Sequence, residues 1–223
     1  MACEQKLWYE LNDRVKNDEK VSEIYRDTLE YLISTFSDII YIDDENNVKE
    51  VPCWHGTMDR LVAKLKKEAN TILPVMSVVR SGNAVDEERR RTSSLIVYEK
   101  YWDTEKNRAV RVASLPPVPI NIEYKLNVWT KYQEDMDHIT EQVHRMFNPD
   151  IEINLKNNST TKAFLQQEAG EVPTNVADGQ NRIIRKSFTI SVESYVPSPK
   201  FVITNTGKVE ALSYEIYVPI TRK

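Results

Sequence analysis

Glycine is scarce in this sequence, with 5 among 223 residues, and the five are scattered rather than set at the spacing of a phosphate-cradling loop. Together with 10 prolines, this argues against flexible linkers and low-complexity segments. There are only two cysteines, Cys3 and Cys53. The charged start Met1-Ala-Cys-Glu-Gln-Lys6 has no apolar core of the kind an export signal needs, so the expectation is a protein of the cytoplasm with two reduced thiols rather than a disulfide. No run approaches the roughly 20 apolar residues that cross a bilayer as a helix, so no membrane partner is expected. A formal net charge of −4 lacks the basic excess that releases counterions from nucleic acid, which weighs against a dedicated nucleic-acid binder and leaves only local basic patches.

Catalytic patterns are equally thin. There are three histidines: His138 and His144 are too far apart on a helix to share a metal, and Cys53-Trp54-His55 offers two ligands where zinc takes about four. No strand-to-helix nucleophile elbow occurs. Acidic pairs such as Asp43-Asp44 and Glu134-Asp135 fall on expected solvated faces, where nothing tunes a carboxyl for proton transfer. The sequence therefore predicts a protein that is not an enzyme and has no cofactor and no metal.

What the sequence does contain is a strand running into an amphipathic helix between Pro116 and Pro149. Ile120, Ile122, Tyr124, Leu126 and Val128 alternate with Asn121, Glu123, Lys125 and Asn127, the period of a half-buried strand. Thr130 and Gln133 have the spacing of a capping box. Beyond them Met136, Ile139, Val143, Met146 and Phe147 form one apolar stripe at helical period, with Glu134, Asp135, Asp137, Glu141 and Arg145 on the wet side. Asn148-Pro149 ends it, because the residue before proline resists the helical region. Ile122, Tyr124, Leu126, Met136, Ile139, Val143 and Phe147 are thus the expected core.

On the N-terminal side of this unit, after a polar start, a helix is predicted over residues 20–37, from Val21, Ile24, Leu32 and Phe36 among others. Residues 39–42 and 48–54 flank a polar turn and are expected to pair antiparallel. A second helix is predicted over 57–68, its lysines and arginine a solvated face or a basic site. The apolar run 72–79 suits a strand inside a sheet. Residues 81–115 read as an extended hairpin arm, in which Tyr98, Tyr101 and Trp102 stand near Arg89, Arg90 and Arg91. That composition favours protein interfaces, and the bland alternative is a surface loop.

On the C-terminal side, strands are expected at 151–155, 162–168 and 182–196. Pro197 and Pro199 then separate a C-terminal extension, at about 200–223, able to close as a hairpin or to reach a neighbour. The fold class expected is α+β: a mixed or antiparallel sheet flanked by two to three helices, forming a single domain over 1–223 with the arm attached.

The stretch Tyr124-Lys-Leu-Asn-Val-Trp-Thr-Lys-Tyr-Gln-Glu-Asp-Met-Asp-His-Ile-Thr-Glu-Gln-Val143, preceded by Pro116-Pro-Val-Pro119, resembles the tail sheath stabilisers of contractile-tailed phages. These are tail terminators of the large myophages. The helix-and-strand region Met58 to Leu73 and the late strand Arg182 to Pro197 resemble that family in the same order, so the likeness runs from about Val51 to Phe201 and leaves both ends outside it. It implies a structural virion protein at the tail–neck junction, assembled in the host cytoplasm. It further implies a homo-oligomeric ring, a hexamer, whose partners are the tail tube protein, the tail sheath protein and the neck or head completion proteins, with DNA only passing through the lumen. The residues alone are also compatible with a monomeric or dimeric adaptor of another contractile or neck assembly.

Overall fold

The structure, a computed structural model, describes residues 2–16, 23–42, 47–56, 73–90, 95–103, 108–155, 160–171, 183–203 and 209–213. In sequence order these form α1 (Ala2–Lys16), α2 (Ile24–Ser37), β1 (Ile40–Ile42), β2 (Val48–Glu50), β3 (Cys53–His55), β4 (Val75–Val85), β5 (Val97–Asp103), β6 (Arg108–Ser114), β7 (Val118–Thr130), α3 (Gln133–Met146), β8 (Ile151–Asn154), β9 (Thr160–Glu171), β10 (Ile184–Val196), β11 (Lys200–Ile203) and β12 (Val209–Ser213). The class is α+β, as the patterning predicts. The helix expected over 57–68 lies outside the described residues. The protein divides into two compact units: a larger one of Glu23–Ala84 with Ile120–Ser194, and a smaller one of Met1–Ser22, Val85–Pro119 and Tyr195–Lys223.

The larger unit is built on a mixed six-stranded sheet in the order β3-β4-β7-β10-β9-β8. β3 and β4 are parallel, while β9 is antiparallel to both β8 and β10. Strict alternation in β7 puts Ile120, Ile122, Tyr124, Leu126 and Val128 on one face, all buried. Against such a face an amphipathic helix can bury its stripe, and α3 buries Met136, Ile139 and Val143, with Phe147 at its C-cap. α2 buries Ile24, Thr28, Leu32 and Phe36, and the rings of Phe36 and Phe147 lie 6.3 Å apart. The Tyr124 hydroxyl donates to the Tyr25 carbonyl at 3.2 Å and the Tyr31 hydroxyl to the Glu152 carbonyl at 2.9 Å, so α2 is tied to strands β7 and β8.

Several expectations change in detail. The capping box does not form: Thr130 ends β7, its hydroxyl donates to the Tyr132 carbonyl at 2.9 Å, and Tyr132, in extended conformation, is the N-cap. Gln133 instead donates to Asp137 one turn on, at 2.9 Å. The helix expected over 20–37 is α2, with Glu23 as N-cap. The strand expected over 48–54 is two strands, because Pro52, with no N–H to donate, separates β2 from β3. β2 closes an antiparallel hairpin with β1, whereas β3 joins the large sheet. Gln142 of α3 fastens that hairpin by accepting from the Ile40 N–H at 3.1 Å and donating to the Ile40 carbonyl at 2.7 Å.

The smaller unit is an antiparallel four-stranded sheet in the order β12-β11-β6-β5. Its core is Leu11, Ala113, Phe201 and Ile203, with Leu7, Val15, Ile96, Leu115 and Val209 packed around it. Leu7, Leu11 and Val15 recur every fourth residue, which makes them one stripe of α1. The segment expected only as a polar start is therefore a helix. The tail closes as the hairpin β11–β12. Of the stretch expected as an arm, β5 and β6 pair antiparallel, residues 81–85 continue β4, and the other edge of β6 is paired with β11.

Candidate functional site

Assembly surfaces are the functional question this sequence poses, and the exposed side of the β5–β6 hairpin is the first candidate. β5 is an outer strand of its sheet. Tyr98 and Trp102 occupy the same face of β5, since side chains alternate along a strand. Trp102 stands opposite Ala109, whose methyl covers little of an indole, and is 61% exposed. Tyr98 stands opposite Ala113 and is 36% exposed. The guanidinium of Arg111, diagonal to Tyr98 across the strand pair, lies 4.4 Å from its ring centre. The backbone of Tyr101 pairs with Val110, and its side chain lies outside what is described.

The arginines expected beside these aromatics do different work. Arg89 closes a turn after β4: its N–H and its Nε both donate to the Asp86 carboxylate, at 3.0 and 2.6 Å, and its guanidinium lies 5.1 Å from the Tyr195 ring. Asp86 in turn donates its N–H to the Pro119 carbonyl at 3.1 Å. With side chains 23% and 16% exposed, Arg89 and Asp86 hold the turn rather than offer a free charge. Arg90 is exposed. Arg91 lies outside the described residues. The arginine on the aromatic surface is therefore Arg111, a position that the register of the hairpin identifies and composition does not.

The remaining expected residues are interior. Ile122, Tyr124, Leu126, Met136, Ile139 and Val143 are at most 2% exposed and Phe147 is 8% exposed. Burial pushes the Tyr124 hydroxyl up to about 12, so it stays protonated and serves as the donor to α2. The Cys53 thiol, free and buried, is likewise pushed up to about 12, far from a nucleophilic thiolate. His144 is engaged at 2.5 Å by Glu168, which Lys186 also meets at 2.9 Å. Among the described residues no three histidine, cysteine or carboxylate side chains converge as metal ligands, and no helix is long and apolar enough to cross a membrane.

A comparison with curated proteins gives no match. A comparison with protein families matches residues 20–214 to the family described as T4-like virus Myoviridae tail sheath stabiliser. That span takes in all of the larger unit and, of the smaller, the hairpin β5–β6 and the strands β11 and β12, leaving α1 outside. The protein belongs to the T4-like Myoviridae tail sheath stabiliser family.

Proposed function

We propose that this phage tail protein is a tail terminator: a ring, sixfold, that caps the last layer of tube and sheath at the head-proximal end, stops their growth, keeps the sheath extended and presents a surface to the neck. The family match over residues 20–214 carries this reading, since it is a family of structural tail proteins rather than of enzymes. A terminator must meet a repeating partner on one surface and offer no copy of that surface on its other side. A head-to-tail contact between subunits whose rotation closes into a ring has this property. The partners are then a second copy of this protein, the tube protein, the sheath protein and the neck or head completion proteins, with DNA passing through the lumen and the assembly taking place in the host cytoplasm.

Within this reading the β5–β6 hairpin supplies part of a subunit or partner contact. Trp102 and Tyr98 are large, amphipathic and exposed, and with Arg111 they are the residue types on which interface energy concentrates. Arg90 sits at the rim, and Arg89 acts by holding the turn. Small polar contacts are compatible with a ring that forms only on the tube, so mass in free solution does not decide the matter. The test is tail assembly with this protein omitted. Tubes should overrun their normal length or sheaths should detach from the head-proximal end, and the purified protein should restore defined, neck-competent ends. Tails of unchanged length, stability and head attachment overturn the reading.

A further inference from the structure

The strand pair β1–β2 presents a second exposed face, of a different composition from that of β5–β6. Its register sets Ile42 opposite Val48 and Ile40 opposite Glu50, so these four side chains share one face, while Tyr41 between the two isoleucines takes the other face and is buried. Ile40, Ile42 and Val48 are 41%, 49% and 64% exposed, and Glu50 is exposed beside them. Single exposed aliphatics are ordinary on a protein surface, whereas three on one face beside a charge form a contiguous patch, a feature of docking surfaces. The patch is held in place before any partner arrives: Gln142 of α3 binds both backbone groups of Ile40, and the N–H of buried Val51 donates to the Ile39 carbonyl at 2.7 Å.

The β5–β6 face carries the opposite charge. Lys100 lies between Tyr98 and Trp102 on the same face of β5, exposed, and the register sets it directly opposite Arg111. Like charges directly opposite each other across a strand pair repel. The Arg111 guanidinium leans over the Tyr98 ring, which leaves its charge in place, and neither cation has an ion pair among the described residues. Glu99 of β5 is on the other face, where it meets Lys200 at 2.7 Å. We infer that the two faces are the two halves of one contact between copies of this protein: β1–β2 of one subunit docks on β5–β6 of the next, with Ile40, Ile42 and Val48 against Tyr98 and Trp102, and with Glu50 supplying the carboxylate for Lys100 and Arg111. The partner is a second copy because the complement is carried by the same chain, aliphatic surface with a carboxylate on one strand pair and aromatic surface with two cations on the other. Two different surfaces meeting head to tail are what a closing ring needs, whereas a two-fold dimer built on either face would set like charges against each other. The choice of a second copy rests on the ring proposed above; the complementarity of the two faces does not.

The contact is tested in assembled tails. Val48 is replaced by the photoreactive p-benzoylphenylalanine, and ¹⁵N-labelled and unlabelled copies of the full-length protein are incorporated together. Irradiation should join position 48 of one copy to residues 97–114 of another, seen as cross-linked peptides of mixed isotope composition. Links only within one copy, only to tube, sheath or neck proteins, or only to other parts of a second copy overturn the proposal, as does the absence of any link. Charge changes test the same contact without the probe. Lys100→Glu sets a carboxylate opposite Arg111 within its own strand pair, so it should melt at or above the parent temperature yet bind about tenfold more weakly to tails assembled without the native copy. Glu50→Arg should melt as the parent does and also bind about tenfold more weakly. The two combined should bind better than Glu50→Arg alone, because the new arginine of one copy then meets the new glutamate of the next. Losses that multiply in the double variant, or single variants that bind as the parent does, overturn the contact. Tail ends unaltered by omission of the protein would overturn the terminator and leave these links readable, so the two proposals fail separately.

Discussion

The two units of this molecule reach a folded state by different routes. In the larger, a half-buried strand is followed directly in sequence by an amphipathic helix, β7 by α3, and each announces itself by a clean apolar period. In the smaller, three stretches separated in sequence supply one small core: Leu11 from α1, Ala113 from β6, Phe201 and Ile203 from β11. A local period is enough to specify the first kind of packing. The second kind depends on pairings between distant segments, which carry a larger loop-closure cost and leave a fainter trace in any one segment.

The comparison is broken most sharply by charging the centre of the larger unit. Ile139, fully buried on α3, loses its packing in Ile139→Asp and leaves a carboxylate among apolar atoms, a cost of about 5 kcal/mol or more. A marginally stable domain does not absorb that, and the variant should lack a cooperative thermal transition. Glu141→Ala, on the exposed side of the same helix, removes only an exposed pair with Arg145 and should melt within a few degrees of the parent. Equal melting of the two would mean that α3 is rotated from the orientation described.

Phe201→Ala is the matching cut in the smaller unit and should cost about 3–4 kcal/mol. If the two units open separately, amide exchange should accelerate in β6, β11 and α1 while β7, α3 and β10 keep their protection. Uniform acceleration across both would show one cooperative structure and dissolve the comparison.

The same contrast explains what is legible in the sequence. Alternation of Ile120, Ile122, Tyr124, Leu126 and Val128 needs no partner to be recognised, and the apolar run entering β4 and the alternating stretch of β10 are legible for the same reason. α1 escapes a reading by period because Leu7, Leu11 and Val15 make a one-residue-wide stripe in a segment otherwise polar, and its burial is supplied by Phe201 nearly two hundred residues on. The hairpin β5–β6 is visible in the sequence but its sheet is not, since the β6 edge is completed by β11 from beyond two prolines. The split of 48–54 is signalled by Pro52, which ends one pairing and starts another. Of the candidate surface, the aromatics are legible as composition. The partnership of Tyr98 with Arg111 requires the register, and so does the exposed face of Ile40, Ile42 and Val48, which the sequence divides between two strands.

Alkaline pH separates the units more gently. Burial raises Cys53 from 9.0 to about 12 and Tyr124 from 10.0 to about 12, and both belong to the larger unit. The folded protein keeps protons that the unfolded one releases, so their contribution is intact below about pH 9 and is lost as pH rises from there toward 12. Denaturant midpoints should hold through neutrality and fall above pH 9, where Cys53 starts to ionise in the unfolded state. In Cys53→Ala the fall should begin near pH 10, where Tyr124 starts to ionise in the unfolded state. An unchanged onset would mean that the thiol is not held in the dry interior of the sheet.

The smallest effect on the folded protein is expected at Trp102, the exposed aromatic proposed for the assembly contact. Trp102 is 61% exposed and stands opposite the small Ala109 across the strand pair, so Trp102→Ala removes little packing and should shift stability by no more than about 0.5 kcal/mol. Tyr98→Ala releases Arg111 from its ring and should cost slightly more. Where an exposed aromatic is a central anchor of an interface, its truncation costs about 2 kcal/mol or more of binding. Trp102→Ala should therefore melt as the parent does yet incorporate poorly into tails, measured by the fraction of particles with defined head-proximal ends when parent and variant compete. Equal incorporation would move the subunit contact away from the hairpin, and a large drop in melting temperature would make Trp102 part of the smaller unit's own packing instead.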